Sequence, residues 1–318
     1  MGRLEWLDAA RGLAILAVVL GHAAPNSEPL YWWHIPCFYA ISGYLIDSSQ
    51  DDLVYVSRRA SRLLIPYSAW LVILSLPALA GWIHSQNKQE FSHGIGVLLF
   101  GGAKLPSPLG ALWFLTSLYF SSVVFHWLIR HFSSVWVFTF VGLAYALALM
   151  RQAFLPRVSF PLEVDSVLMA LPFFYLGYQF RAHRAEQWTA PLAAMGCLFV
   201  TVVIAYYCGI PVPKFDVKNW RYGTPLISLA LSAVGTATCV YLAMHGGKLK
   251  SSLSWLGRAS LCIMVLHEPI YVLATSEGVA SWPLKFALGI AIPSLVFVCL
   301  ERSWVTRQFL LGQVEEHC

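Results

Sequence analysis

The sequence predicts an all-α fold, a polytopic membrane helix bundle of about ten transmembrane helices forming a single domain over residues 1–318. Three observations predict it. Only 12% of the residues are charged and 58% are hydrophobic, with a mean hydropathy of +0.64, whereas a soluble domain carries roughly 25% charge. Uncharged stretches run between 63 and 88, 105 and 129, 131 and 150, 187 and 213, and 222 and 248. Each holds the roughly 17–25 residues that a helix needs to cross about 30 Å of hydrocarbon. No linker, low-complexity tract or internal repeat divides the chain. An ordinary soluble domain is excluded, because there is too little charge to cover its surface.

The first span is expected over 7–24. Its apolar run 12–24 has the length of a signal peptide, but Asp8 and Arg11 interrupt its approach and no small-x-small cleavage site follows, so a retained helix is expected. An ionisable side chain inside a span is costly and is therefore a functional candidate. This helix has two, Arg11 and His22. Eleven steps of 100° bring them within about 20° of three full turns, with a rise of about 16 Å. They share one face at different depths. The plainer alternative is that Arg11 snorkels and pairs with Asp8 at i, i+3, while His22 marks the helix end.

The second span, 31–47, holds Trp33-His34-Ile35-Pro36 and, further on, Ser42-Gly43. His34 follows the first outer loop closely enough to lie near His22, and Ser42 and Gly43 permit close helix approach. An amphipathic piece over 50–62 carries Arg58, Arg59 and Arg62, which are neighbours at helical spacing. Guanidinium forks bind phosphate oxygens bidentately; the same cluster also suits a positive anchor at lipid head groups. The third span is expected over 63–83, with an interfacial piece over 91–101. The fourth, 109–129, opens on Leu112-Trp113-Phe114, and the fifth covers 133–150. The sixth, 162–181, begins with Glu163 and Asp165, placed either to bind hydroxyl groups or to sit solvated in the loop. The seventh to tenth are expected over 189–208, 223–244, 258–275 and 283–301. His267-Glu268 in the ninth reads as a buried, satisfied structural pair. Trp32, Trp33, Trp82, Trp188, Trp220 and Trp282 fall near span ends, as an interfacial aromatic belt does.

Lysines and arginines favour the loops on the side of the N-terminus, among them Arg58, Arg59, Arg62, Arg130, Arg181 and Arg184, over the opposite side with Lys88, Lys104, Lys214, Lys218 and Arg221. That asymmetry places both termini in the cytoplasm. The net charge of +5 is then a topology signal, and no nucleic-acid partner is expected. Seven scattered cysteines without a C-x-x-C pair give neither a zinc site nor a disulfide framework; buried free thiols are expected, and no metal.

An ordered series of short motifs resembles the acyltransferase-3 family of integral membrane O-acyltransferases. It comprises Leu7-Asp8-Ala9-Ala10-Arg11-Gly12 with His22 in an Arg-x10-His arrangement, Phe38-Tyr39-Ala40-Ile41-Ser42-Gly43-Tyr44, and Arg59-x-x-Arg62 with Pro66. Leu112-Trp113-Phe114-Leu115, Pro172-Phe173-Phe174-Tyr175-Leu176-Gly177, and Leu256-Gly257-Arg258-Ala259-Ser260-Leu261 leading to His267 continue it. The matches cover nearly the whole chain. They depart from the family at Cys37 and Tyr39, where members often have further aromatic residues, and the chain is too short for the extra periplasmic domain of many members.

The resemblance implies an acetyltransferase of the bacterial inner membrane acting on exopolysaccharide or another surface glycan, free or lipid-linked. Acetyl-CoA is the expected donor, with no permanently bound cofactor. Arg59 and Arg62, with Arg58, would hold the CoA phosphates, and the pantetheine arm would extend along the Arg11 face to His22. A neutral imidazole accepts protons near neutral pH, so His22 is expected as general base towards a sugar hydroxyl, with a transient acetyl-histidine as the alternative. Arg11 would steady the developing oxyanion or help hold phosphates. His34 and Trp113 would line the acceptor cavity, with Glu163 and Asp165 binding sugar hydroxyls. Without the resemblance, a transporter or flippase for a glycan or sugar phosphate, or a membrane scaffold, fits the same composition. Transporters commonly show repeats, and a scaffold needs no Arg11 and His22 on one face.

Overall fold

The computed structural model describes residues 4–313 except 157, 185 and 186. Its α-helices among the described residues are α1 (Glu5–Ala23), α2 (Glu28–Tyr31), α3 (His34–Leu45), α4 (Asp52–Ser85), α5 (Lys88–Phe100), α6 (Trp113–His131) and α7 (Ser134–Phe154). They continue with α8 (Val167–Ala182), α9 (Thr189–Tyr207), α10 (Ile227–His245), α11 (Lys250–Arg258), α12 (Ser260–Ser276), α13 (Trp282–Leu300) and α14 (Trp304–Leu311). No β-strand occurs among them, only an isolated bridge between Asp216 and Arg221. The all-α expectation holds, and every expected span is a helix.

Among the described residues, seven helices are long and apolar enough to cross a membrane, and α11 with α12, bent by 71° at their junction, makes up to eight, against the ten helices expected. Helix α3 has 12 residues, α8 has 16 and α12 has 17. The apolar runs are longer than the helices because the backbone breaks inside them. Trp33 leaves the helical region before α3, and Leu162 and Glu163 adopt left-handed φ of 56° and 58° before α8. At the other end of α3, the Arg181 guanidinium on α8 donates to the carbonyls of Tyr44 and Ile46 at 3.2 and 3.0 Å, partners that orphan C-terminal carbonyls require.

A second difference lies at 50–62, which is continuous with the third span. Asp51 caps the helix by accepting from the Leu53 N–H at 3.0 Å, no Gly or Pro follows before Pro66, and α4 runs for 34 residues through it. At about 1.5 Å per residue that exceeds the hydrocarbon thickness by about 20 Å. Pro66 removes the donor that the Arg62 carbonyl would otherwise meet, and α14 packs at that place. A Cβ on Gly312 would lie 2.1 Å from the Arg62 oxygen, and the Trp70 indole donates to the Leu310 carbonyl at 2.9 Å.

Two crossings are made backbone to backbone. A Cβ on Gly12 in α1 would stand 2.0 Å from the Leu253 oxygen in α11, and one on Gly257 in α11 would stand 1.8 Å from the Asp8 oxygen in α1. Helices α3 and α8 repeat the arrangement: Gly43 faces the Phe174 oxygen at 2.0 Å, and Gly177 faces the Ala40 oxygen at 1.8 Å. In lipid, where tails are as apolar as side chains, such close approach supplies the packing that holds helices together. The expected role of Gly43 is therefore seen, and three further motif glycines share it.

Several polar groups inside the bundle form one connected chain. Tyr39 on α3 shares a 2.5 Å hydrogen bond with Ser117 on α6, which shares another of 2.5 Å with Ser166; the Ser166 hydroxyl donates to the Glu163 carbonyl at 2.7 Å. The chain ties α3 and α6 to the loop before α8. Trp32 departs from the expected aromatic belt, being buried edge-on to Phe199 and Tyr206. The six described cysteines are free, but only Cys37, Cys239 and Cys262 are buried; Cys197, Cys208 and Cys299 lie on α9, just past its end and on α13, whose outer faces are apolar.

Gly177→Ala and Gly257→Ala are each expected to destabilise the detergent-solubilised protein by about 1–3 kcal/mol or more, through overpacking against backbone. Gly142→Ala on α7, with nothing within 4 Å, is expected to be neutral or to stabilise by up to about 1 kcal/mol. Thermal unfolding of the three variants checks this, and equal midpoints would contradict the close crossings.

Candidate functional site

The crossing of α1 with α11 also sets the site. Gly257 lies beside Asp8 and Gly12, and immediately after the bend α12 runs in the same direction as α1. His267 lies ten residues beyond Gly257, and His22 ten beyond Gly12. His22 is about 15 Å further along α1, while His267 lies on α12, past the 71° bend that follows Gly257. The two rings accordingly meet, with centroids 5.0 Å apart and planes at 64°.

His22 ends α1, where carbonyls lack intrahelical donors. Side chains from elsewhere meet some of them. Ser27 and Tyr31 hydroxyls both donate to the Gly21 carbonyl, at 2.8 and 2.9 Å, and Tyr271 on α12 donates to the Val19 carbonyl at 2.8 Å. These bonds fix the helix end, while His22 itself remains exposed. The Tyr31 ring lies 6.0 Å from His22 and 5.3 Å from His34. Burial, then the charges of Asp216, Glu268 and Glu28, push the Tyr31 hydroxyl up to about 12, so it stays protonated.

His22, Tyr31, His34, Trp113, Lys218, His267 and Glu268 line one cavity of about 260 Å3, with Asp216 at its edge. A recess of about 690 Å3 shares His22, Lys218 and Glu268 and continues past Gly110 and Tyr271. His34 is buried, with Nδ1 2.6 Å from the Leu30 carbonyl. His267 is fully buried, with Nδ1 3.1 Å from the Ile263 carbonyl. A carbonyl only accepts, so each Nδ1 carries the proton and each Nε2 offers a lone pair. His267 Nε2 and Glu268 Oε2 have no hydrogen-bond partner among the described residues. The pair expected to be satisfied and structural therefore faces the cavity with unused acceptors. Lys218 reaches in from the loop before α10 and donates to the Gly110 carbonyl at 3.0 Å.

The remaining candidates lie elsewhere. Arg11 is on the same unbroken helix as His22 but does not line the cavity; its Nη1 donates to Asp8 Oδ1 at 2.9 Å, the pairing the plainer reading anticipates. The arginine cluster divides. Arg58 and Arg62 are exposed, whereas Arg59 turns against α6, its Nε donating to Ser122 Oγ at 3.0 Å and its buried Nη2 lacking a hydrogen-bond partner among the described residues. A buried guanidinium N–H with no acceptor is costly, and an anionic oxygen would meet that need.

Glu163 and Asp165 are neither in the cavity nor solvated. Glu163 is fully buried and accepts from the Ala103 N–H at 2.7 Å. Asp165 Oδ2 lies 2.6 Å from Nε of Arg151, whose guanidinium stacks 4.0 Å over the Trp220 ring. Their position before a helix, read as an outer rim, is in fact tucked under the loop at 101–105 by the left-handed turn. Burial pushes the Glu163 carboxyl up to about 7, against the pull of the Ala103 N–H, and burial raises Asp165 while Arg151 opposes it.

Sequence reasoning did not place Tyr31, Ser27, Tyr271, Asp216 and Lys218 at the site, and it read His267 and Glu268 as satisfied, where one acceptor atom of each has no hydrogen-bond partner among the described residues. A polar residue within an apolar run was a usable signal for Tyr271 and for His267-Glu268; the loop residues carried none.

The comparisons agree with this architecture. The model of an acyltransferase domain family matches residues 4–302. The nodulation protein NolL of Sinorhizobium fredii is 28% identical over 199 residues, covering 57% of this chain and 49% of that protein, so the chain spans about half the length of this curated relative. No solved structure matches. The chain belongs to the acyltransferase-3 family of membrane acyltransferases.

A carboxyl held protonated in the folded state favours folding at low pH. The Glu163 contribution is complete below the unfolded value of 4.5 and is lost as pH rises through about 7. Glu163→Gln, which keeps an oxygen for the Ala103 N–H, is expected to flatten the fall of the unfolding midpoint between about pH 5 and pH 8. An unchanged pH profile in that variant would contradict the assignment.

Proposed function

We propose that this member of the acyltransferase-3 family transfers an acetyl group from cytosolic acetyl-CoA to a sugar hydroxyl of an exopolysaccharide or other surface glycan in the bacterial inner membrane. The observation that carries the reading is the gathering of His22, His34, His267 and Glu268 around one cavity at the far end of the helix that carries Arg11. Acceptors dominate that lining, and a polyol is a cluster of hydroxyl donors.

His22 acts as general base. Its lone pair takes the hydroxyl proton, the sugar oxygen bonds to the thioester carbonyl carbon, and the carbon–sulfur bond breaks. The thiolate leaves with the proton that the imidazolium returns. His34 and Glu268 orient the acceptor, and the Tyr31 hydroxyl holds the end of α1 in place through its bond to Gly21. Trp113, buried under the cavity and edge-on to Phe114 at 5.8 Å, excludes water from the reacting atoms. The donor enters from the face of Arg58, Arg59 and Arg62, with both termini on that cytoplasmic side. The Arg59 guanidinium, with its unmet N–H, is the first phosphate ligand. The thioester reaches His22 along the Arg11 face, a path of about 16 Å.

With purified protein in lipid, labelled acetyl-CoA and candidate glycans, His22→Ala is expected to slow label transfer by about 100-fold or more, the scale of a positioned general base. Transfer that survives the substitution would remove His22 from that role. Arg59→Ala with Arg62→Ala is expected to weaken CoA binding by about tenfold or more while insertion persists. Unchanged CoA affinity would return both arginines to a lipid-anchoring role.

A further inference from the structure

His22 at the end of α1 and His267-Glu268 on α12 each present one ligand atom, and these atoms all lie within 4.8 Å of one another. No sequence spacing announces this set, because the two helices are far apart in the chain. Two imidazoles and a carboxylate form a donor set that suits a divalent transition metal of the zinc class. Independent observations point to a ligand here. His267 is fully buried, its Nδ1 proton is held by the Ile263 carbonyl, and its Nε2 has no hydrogen-bond partner among the described residues. That is the orientation that outer-shell bonding gives metal-binding histidines. Glu268 Oε2 is likewise without a partner.

We propose that His22, His267 and Glu268 bind a divalent cation of the zinc class, and that its occupancy blocks acyl transfer by taking the His22 lone pair. Metal–ligand bonds of about 2.1 Å in a tetrahedral site space the donor atoms about 3.4 Å apart, so the cluster must close by roughly an ångström. His22 supplies that movement. It is exposed at a helix terminus, whereas His267 is locked and Glu268 is wedged against Gly110, 2.7 Å from where a Cβ would stand. The C-terminal carbonyls of α1 place partial negative charge beside the ion, and Asp216 lies on the same cavity wall. Lys218 opposes binding, but its ammonium is held by the Gly110 carbonyl at 3.0 Å. Metal binding does not depend on the proposed reaction; the block does, because it rests on His22 acting as base.

The test uses full-length protein carrying a tag without histidines, stripped with a chelator and titrated with zinc chloride by calorimetry. One zinc ion per chain is expected, with affinity falling by about tenfold or more in His267→Gln and in Glu268→Gln, at least the effect of losing an outer-shell partner. His84→Gln, an exposed histidine on α4 remote in sequence, is expected to leave it unchanged. Affinity that does not change in either cavity variant, or no saturation at one ion per chain, overturns the site. Wild-type protein supplies a measurement that needs no variant: zinc is expected to protect the exposed His22 from carbethoxylation, read by mass spectrometry, and equal labelling of His22 with and without zinc overturns the site. On the same sample, zinc is expected to stop acetyl transfer and chelator to restore it. Zinc bound at the site without slowing transfer overturns the block. Metal-free protein that transfers no acetyl group from acetyl-CoA to any glycan tried sinks the proposed reaction, and the zinc titration stands apart from it.

Discussion

The backbone contact between α1 and α11 is the constraint on which the rest depends. Gly12 and Gly257 leave no room for a Cβ on either side, so the helices cannot slide or separate without losing their closest packing. Because α12 follows α11 after a 71° bend, the crossing sets where α12 begins and therefore which of its residues stands level with His22. One steric condition at one end of α1 thus determines side-chain placement some 15 Å away.

The second glycine crossing, between α3 and α8, works on the same principle and orders the opposite wall. The start of α3 is kept beside the end of α1 by the short connection in which Ser27 and Tyr31 donate to the Gly21 carbonyl, and this brings His34 to the cavity. The polar chain from Tyr39 through Ser117 and Ser166 to Glu163 then fixes the loop ahead of α8. In a low-dielectric interior such a chain is stabilising only when its members are satisfied. Here the hydroxyl members are, while Glu163 Oε1 is one of several buried atoms with no hydrogen-bond partner among the described residues; of such atoms, His267 Nε2 and Glu268 Oε2 line the cavity. The unmet Arg59 donor lies away from it, against α6.

The motifs that carry the family resemblance divide in the same way. Gly12, Gly43, Gly177 and Gly257 are motif residues whose work is packing, and Arg11 pairs with Asp8 within its own motif. The imidazoles of the proposed site, His22 and His267, each stand ten residues beyond a packing glycine in the sequence. Carrying an imidazole on a helix that is part of, or directly follows, a rigid crossing ties its position to the crossing rather than to a loop.

The sequence by itself determined the membrane address, the helical class, the positions of the helices and the common face of Arg11 and His22. These follow from apolar run length and from 100° per residue, which are local properties of a chain. It also marked His22, His34 and Trp113 as companions in one cavity, since two of them flank a short loop. Only the tertiary structure decided that α3 and α8 are short, because the breaks at Trp33 and Leu162-Glu163 are backbone conformations inside apolar sequence. It decided that Glu163 and Asp165 are buried under a loop, and that Arg59 parts from its neighbours to meet α6. It alone brought His267 and Glu268 to His22, since contact between residues 245 positions apart is set by how helices cross, and periodicity carries no information about that.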